Sequence, residues 1–369
     1  MASRTLYESQ IIDVIWGATL LGGGGGGSLK NGMDLLNKYK EDHPGEVKLP
    51  LVECADLDPF NYAAVTAGMG APKAIKDVDF SAYATNAFNA LGNLALKMDP
   101  PRRLKYSLAV EMGGFNTFVP MLISLVNGIP FIDADGSGRA VPALNTLLLH
   151  INGLDTSPLA MADGKNNKVT IEMANVKDAE LAEEIGRHIC MAFNMMSGLS
   201  GWMVRREEIE KHLPCGTITL AEKIGKVLRA ANTKDKFAEL KRTGVECRQF
   251  CQGIVTKVEV VTKEGFDFGK VYISDSKTPG TEWVIYFQNE NLLVTRNAQP
   301  VMTVPDIICT YEYQSGLPLT NADVEKGMEV ALGAVKVDKR WEDNPKMFDM
   351  WRPFLKRVEY EGERIPYQG

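Results

Sequence analysis

Apolar positions along the first half of the chain change period repeatedly, and each change marks an element. Ile11, Val14, Ile15, Ala18 and Leu21 recur at the spacing of one helix face, so residues 6–21 predict an amphipathic helix. Six consecutive glycines, Gly22 to Gly27, stop it, and residues 29–39 predict a second helix. Short apolar runs at 47–53 and 62–67 predict strands, the second ending at Gly68, Gly70 and Pro72. Further on, 79–97 reads as helix, 106–110 as strand and 117–126 as helix. A strand at 129–132 then runs into Asp-Ala-Asp-Gly, followed by a helix over about 143–151 and a strand pair, 159–162 and 168–173, joined by an Asn-Asn turn. Strands interleaved with helices predict a layered α/β domain over residues 1–174.

Beyond residue 174 the pattern shifts. Residues 177–197 predict one long helix, and Thr217 or Thr219 caps another that runs to Ala230. From Cys247 to about Tyr313, β-branched and aromatic residues dominate, with turns at Glu264-Gly265 and Pro279-Gly280. That pattern predicts a small antiparallel barrel or sandwich in a second domain, helical and then β-rich, over 175–369. Residues 336–369 read as a partly ordered terminal segment.

Composition narrows the class. A chain of 369 residues exceeds what one core usually supports, and 45% hydrophobic with 24% charged residues is ordinary globular composition. A net charge of -6 with scattered carriers gives no footprint for a nucleic acid or an anionic membrane, and no run approaches the roughly 20 apolar residues of a membrane span. The first ten residues lack the pattern of a secretory signal. The six cysteines therefore read as reduced thiols, and a cytoplasmic location follows. His150, His188 and His212 form no metal-binding pair, and Cys247 and Cys251 have the wrong spacing for a zinc knuckle. His188 and Cys190 are expected in a packed core. A small-molecule substrate and a homo-oligomeric state are the expected partners.

Three segments carry candidate chemistry. The glycine run follows a helix rather than a strand, which disfavours a dinucleotide or P-loop reading. Its bare amides at Gly24, Gly25, Gly26 and Gly27 suit an anion or a developing oxyanion, against the plainer reading of a close-packing loop. Glu111 stands at a strand end before Gly113 and Gly114, with Asn116 as a hydrogen-bonding partner or helix cap. Asp133 and Asp135, two residues apart in Asp-Ala-Asp-Gly-Ser-Gly-Arg-Ala-Val-Pro, suit a divalent cation held by oxygens or a general base paired with a second acid. Arg139 offers a planar fork for a carboxylate. The plainer reading there is a turn held by an Arg-Asp pair.

Together these segments, with Pro305-Asp306-Ile307-Ile308 and Ser315-Gly316-Leu317-Pro318-Leu319-Thr320, resemble the motif series of the S-methyl thiohydantoin desulfurase-like family, sometimes labelled hydantoinase/oxoprolinase-like. The resemblance implies an N-terminal three-layer α/β domain and a C-terminal domain with a β-barrel. It also implies hydrolytic removal of a thiol from a small cyclic imide or thiohydantoin. In that scheme Glu111, Asp133 or Asp135, with or without a divalent metal on the two aspartates, activates water. The glycine amides and Asn116 hold the oxyanion, and Arg139 grips the substrate's carboxylate. The alternative is a non-catalytic protein that binds a small anion in the same cleft.

Overall fold

The computed structural model describes residues 4–70, 80–231, 235–263, 266–343 and 347–369. The expected breakpoint at Pro72 and the turn at residues 264–265 lie outside them. The first sheet has eight strands in the order β1-β2-β5-β4-β3-β8-β6-β7: β1 Arg4–Tyr7, β2 Lys48–Val52, β3 Tyr62–Gly70, β4 Leu104–Ala109, β5 Phe131–Asp135, β6 Leu159–Ala162, β7 Lys168–Ile171 and β8 Met196–Val204. β2, β5, β4 and β3 pair in parallel, and the remaining pairs are antiparallel.

Strand alternation puts a core on each face of this sheet. Leu49, Leu51 and Ala64 join one core with helices α1 (Glu8–Leu21), α2 (Leu29–Asp42), α3 (Phe80–Ala95) and α4 (Phe118–Asn127). Val52, Ala63 and Val65 join the other, with α5 (Leu148–Ile151), α6 (Ala179–Ala192) and α7 (Arg206–His212). The expected 177–197 helix therefore ends early. Asn194 and Met195 take left-handed φ values of 57° and 69°, and the nine residues of β8 are all buried between β3 and β6. A strand buried on both faces shows no alternation, and Ser and Gly supply four of its nine residues, so its sequence carries little strand signal.

The second sheet is antiparallel, in the order β13-β12-β11-β10-β9-β16-β14-β15: β9 Cys247–Lys263, β10 Phe266–Asp275, β11 Glu282–Gln288, β12 Glu290–Arg296, β13 Gln299–Thr303, β14 Ile307–Glu312, β15 Pro318–Leu319 and β16 Glu329–Val335. One face gathers Val255, Val271, Ile285, Val294, Met302, Ile308 and Leu332 into a core of its own. No pairing joins β13 to β15 among the described residues. Helices α8 (Thr217–Arg229) and α9 (Lys236–Arg242) lie in the first core, together with Ile307, Cys309 and Tyr311 of β14, and so bind the two sheets together.

Two expectations need correction. Cys54 and Cys215 form a disulfide across a sequence separation of 161, so only Cys190, Cys247, Cys251 and Cys309 are free, all buried. The bridge is possible because Cys215 pairs with Ala134 at the end of β5, beside β2, which Cys54 follows; linear spacing shows none of this. The terminal segment is packed rather than loose: Trp341 and Trp351 of α10 (Met347–Arg357) are buried, and Thr303 and Ile365 exchange backbone hydrogen bonds and a hydroxyl contact. His188 is exposed, its ring against the Glu184 carbonyl, whereas Cys190 is buried as expected. No described helix is long and apolar enough to cross a membrane.

α1 and α8 cross at unusually short range. A Cβ on Gly17 would stand 1.8 Å from the Ala221 carbonyl oxygen, and one on Gly225 would stand 1.8 Å from that of Asp13. Gly17→Ala or Gly225→Ala is expected to cost about 1–3 kcal/mol by overpacking. Gly92→Ala in α3, where a Cβ meets only Leu104 at 3.7 Å, should gain about 0.5–1 kcal/mol. Urea unfolding of the three variants checks this ordering.

Candidate functional site

The glycine run leaves α1 and lies between the two sheets, hydrogen-bonded to both. Its carbonyls do the bonding: Gly23 accepts from Asn291 N at 2.7 Å and Gly24 from Asn321 N at 2.9 Å. On the other side, Gly26 accepts from Phe115 N and Asn116 N at 3.3 and 3.1 Å, and Gly27 from Gly114 N at 3.1 Å. The N–H groups of Gly24, Gly26 and Gly27 have no acceptor among the described residues. Two positions require glycine outright. A Cβ on Gly25 would lie 2.1 Å from Oε1 of Glu290, and Gly26, with φ at +71°, would clash with the Met112 carbonyl at 2.5 Å.

Glu111 follows β4 and is buried. Its Oε1 accepts from Asn116 Nδ2 at 2.7 Å and its Oε2 from Val141 N at 2.8 Å. Burial pushes its carboxyl up to about 7, against the lowering effect of those two donors. Asn116 keeps a buried Oδ1 without a partner.

Facing this group is a residue that the sequence reading missed, Glu290 at the start of β12. It is 3% exposed, and its Oε2 has no hydrogen-bond partner. Burial first, and then the negative charge of Glu111, raise its pKa well above the usual carboxylate range, while Arg139 opposes them. Its only sequence signal was an acid in Gln-Asn-Glu-Asn between two apolar strands, which reads equally well as a solvated turn. Towards solvent the site is flanked by the partly exposed Asn116, Asn145 and Glu183. Glu183 accepts from Leu144 N at 3.1 Å and pairs with Arg187 at 2.6 Å.

The other predicted site residues are placed differently. Asp133 turns towards α8: its Oδ1 accepts from Ile218 N and Thr219 N at 2.9 and 3.0 Å, and its Oδ2 from the Thr219 hydroxyl at 2.5 Å. It thus supplies the N-terminal cap that neither Gly216 nor a threonine of α8 provides, and Thr217 and Thr219 do not cap their own helix. Asp135 Oδ1 accepts from Ser137 N and Gly138 N at 2.8 and 2.5 Å, and burial raises its carboxyl to about 7. Oxygens engaged in this way do not fit a cation, and no three His, Cys, Asp or Glu among the described residues are grouped to hold one.

Arg139 is fully buried and points away from any substrate. It donates to the carbonyls of Ala140 (2.8 Å), Pro305 (2.6 Å), Asp306 (3.2 Å) and Asn291 (3.4 Å), under the Trp351 ring at 4.8 Å. Burial lowers its pKa to about 10. The structure therefore gathers Glu111, Asn116 and the glycine loop with Glu290, and sets Asp133, Asp135 and the Arg139 fork to structural tasks.

Such an arrangement defines a mixed α/β protein with acids buried where its sheet meets an antiparallel second sheet. The chain belongs to the S-Me-THD-like family: the model of the N-terminal domain matches residues 9–173 and that of the C-terminal domain residues 177–361. It is similar in fold to the crystal structure of a protein from Chromobacterium violaceum, with 24% identity, 99% of each chain covered and a TM-score of 0.85. No curated protein matches it.

The raised carboxyls set the pH dependence of stability. In the unfolded chain Glu111 and Asp135 return to ordinary carboxylate values. Between those values and about 7 the folded protein therefore holds protons that the unfolded chain has lost. Their contribution is complete below the unfolded values and is lost as pH rises through the folded ones, by about 1.4 kcal/mol per pH unit for each group. The melting temperature should fall from about pH 5 to about pH 8, and Glu111→Gln should flatten the slope. A melting temperature constant or rising over that range would contradict protonated buried acids.

Proposed function

We propose that the chain is a hydrolase that releases a thiol from a small cyclic imide or thiohydantoin, with Glu111 and Glu290 as its acid–base pair. The observation that supports this most is the contrast between the two buried carboxyls. Glu111 takes two hydrogen-bond donors, which favour its charged form, whereas Glu290 takes none at Oε2 and shares its surroundings with the Glu111 charge. Two acids whose environments push their titrations apart can divide base and acid roles near neutral pH.

In this reading the Glu111 carboxylate takes a proton from water as its oxygen bonds to the ring carbon that bears the sulfur. The ring C=N electrons move onto nitrogen, and the unpaired amides of Gly24, Gly26 and Gly27, with Asn116, stabilise the resulting negative charge. The C–S bond then breaks, and the proton of Glu290 goes to the departing thiolate. One water is consumed and one thiol is released, and the proton held by Glu111 passes back to Glu290 to restore the starting state. No step uses a metal, because Asp133 and Asp135 are engaged elsewhere.

Thiol release from an S-methyl thiohydantoin, followed with a thiol-reactive dye, tests the assignment. Glu111→Gln and Glu290→Gln should each lower kcat by about 10²–10⁴-fold. Asp133→Ala should lower stability by about 1–2 kcal/mol through the lost cap while leaving kcat per folded molecule nearly unchanged. Wild-type turnover in both glutamine variants would sink the proposal.

A further inference from the structure

Gln288 carries hydrogen-bonding capacity that nothing in the protein uses. It closes β11, it is 0% exposed, and neither its Nε2 nor its Oε1 has a partner. Each unpaired buried polar group costs about 1–3 kcal/mol, so a carboxamide left open at both ends is a standing destabilisation that packing does not explain. The β-sheet register sets Gln288 opposite Glu290, and residues paired across an antiparallel ladder project to the same face. Glu290 likewise leaves Oε2 unpaired, and its other oxygen lies against Gly25. The free carboxamide thus borders the pocket formed by Glu290, Glu111 and the glycine loop.

A carboxamide presents one donor and one acceptor side by side in a plane. Its full complement is a ligand edge with an acceptor and a donor in the reverse order, which is the cis N–H and C=O of a ring amide. A carboxylate would use only Nε2 and would meet the charge of Glu111, while an ammonium would use only Oε1.

We propose that Gln288 is a specificity-determining residue that reads the cis-amide edge of a cyclic amide by a paired hydrogen bond. This rests on the acid–base reading of the site only for where the ligand lies.

Calorimetric titration with hydantoin, butyrolactam and N-methylbutyrolactam tests it. The wild type should bind hydantoin and butyrolactam and bind the N-methylated lactam at least about tenfold more weakly, the effect of one lost hydrogen bond of about 1.4 kcal/mol. Gln288→Met should weaken hydantoin at least about tenfold while its melting temperature stays level or rises, because two unpaired buried atoms are removed. Gln288→Glu, close in shape but without the donor, should show the same loss if the methionine variant folds poorly. Unchanged hydantoin binding in these variants, equal binding of the N-methylated lactam, or no binding of hydantoin by the wild type would overturn the inference. Thiol release plays no part in this titration, so a failure of the Glu111–Glu290 pair would appear in the turnover of the glutamine variants and not here.

Discussion

A guanidinium taken wholly out of water must recover its hydration from the protein, and Arg139 recovers it almost entirely from main-chain carbonyls. One belongs to its neighbour Ala140; the others come from Asn291, Pro305 and Asp306 in the second half of the chain, with the Trp351 ring completing the shell. Carbonyl oxygens satisfy the donors without cancelling the charge. The positive field therefore persists inside the joint, where it offsets the repulsion between Glu111 and Glu290. Two acids can share a dry site because a third charge is fixed beside them by groups that cannot titrate.

The glycine run serves the same joint from the opposite side. Its carbonyls accept from Asn291 and Asn321 on one hand and from Gly114, Phe115 and Asn116 on the other, so a single loop sets the spacing between the two carboxyl groups. At Gly25 the absence of a side chain makes room for the Glu290 carboxyl. The positions that read in sequence as an anion cradle therefore have a packing task as well, and the two readings of the loop are both correct at the level of atoms: carbonyls for assembly, amides left unpaired.

Much of the first sheet was legible because its strands and helices carry distinct periods, and Glu111 was legible because a strand end followed by two glycines is an uncommon context for an acid. β8 was not, since burial on both faces removes alternation. The Asp133–Asp135 pair looked catalytic only because sequence conceals what stands opposite: the start of α8, more than eighty residues later, takes both oxygens of Asp133. Arg139 misled for the same reason, its partners lying beyond residue 290. Glu290 and Gln288 were hidden by the reverse effect. Gln-Asn-Glu-Asn looks like a wet hairpin tip, and only the docking of the glycine loop and the first half of the chain makes that tip dry.

The fixing of Asp306 has a consequence for how the molecule is made. Its carboxylate is filled by Val337 N, Arg364 and Tyr367 N, while its carbonyl and that of Pro305 receive Arg139. On a ribosome that delivers the chain in order, Arg139 and the glycines wait through more than two hundred residues of synthesis, and Asp306 gains its last donors only once residue 367 has left the exit tunnel. Closure of the joint is therefore a late, post-translational event, and until then the nascent first half exposes the surface that will bury its acids.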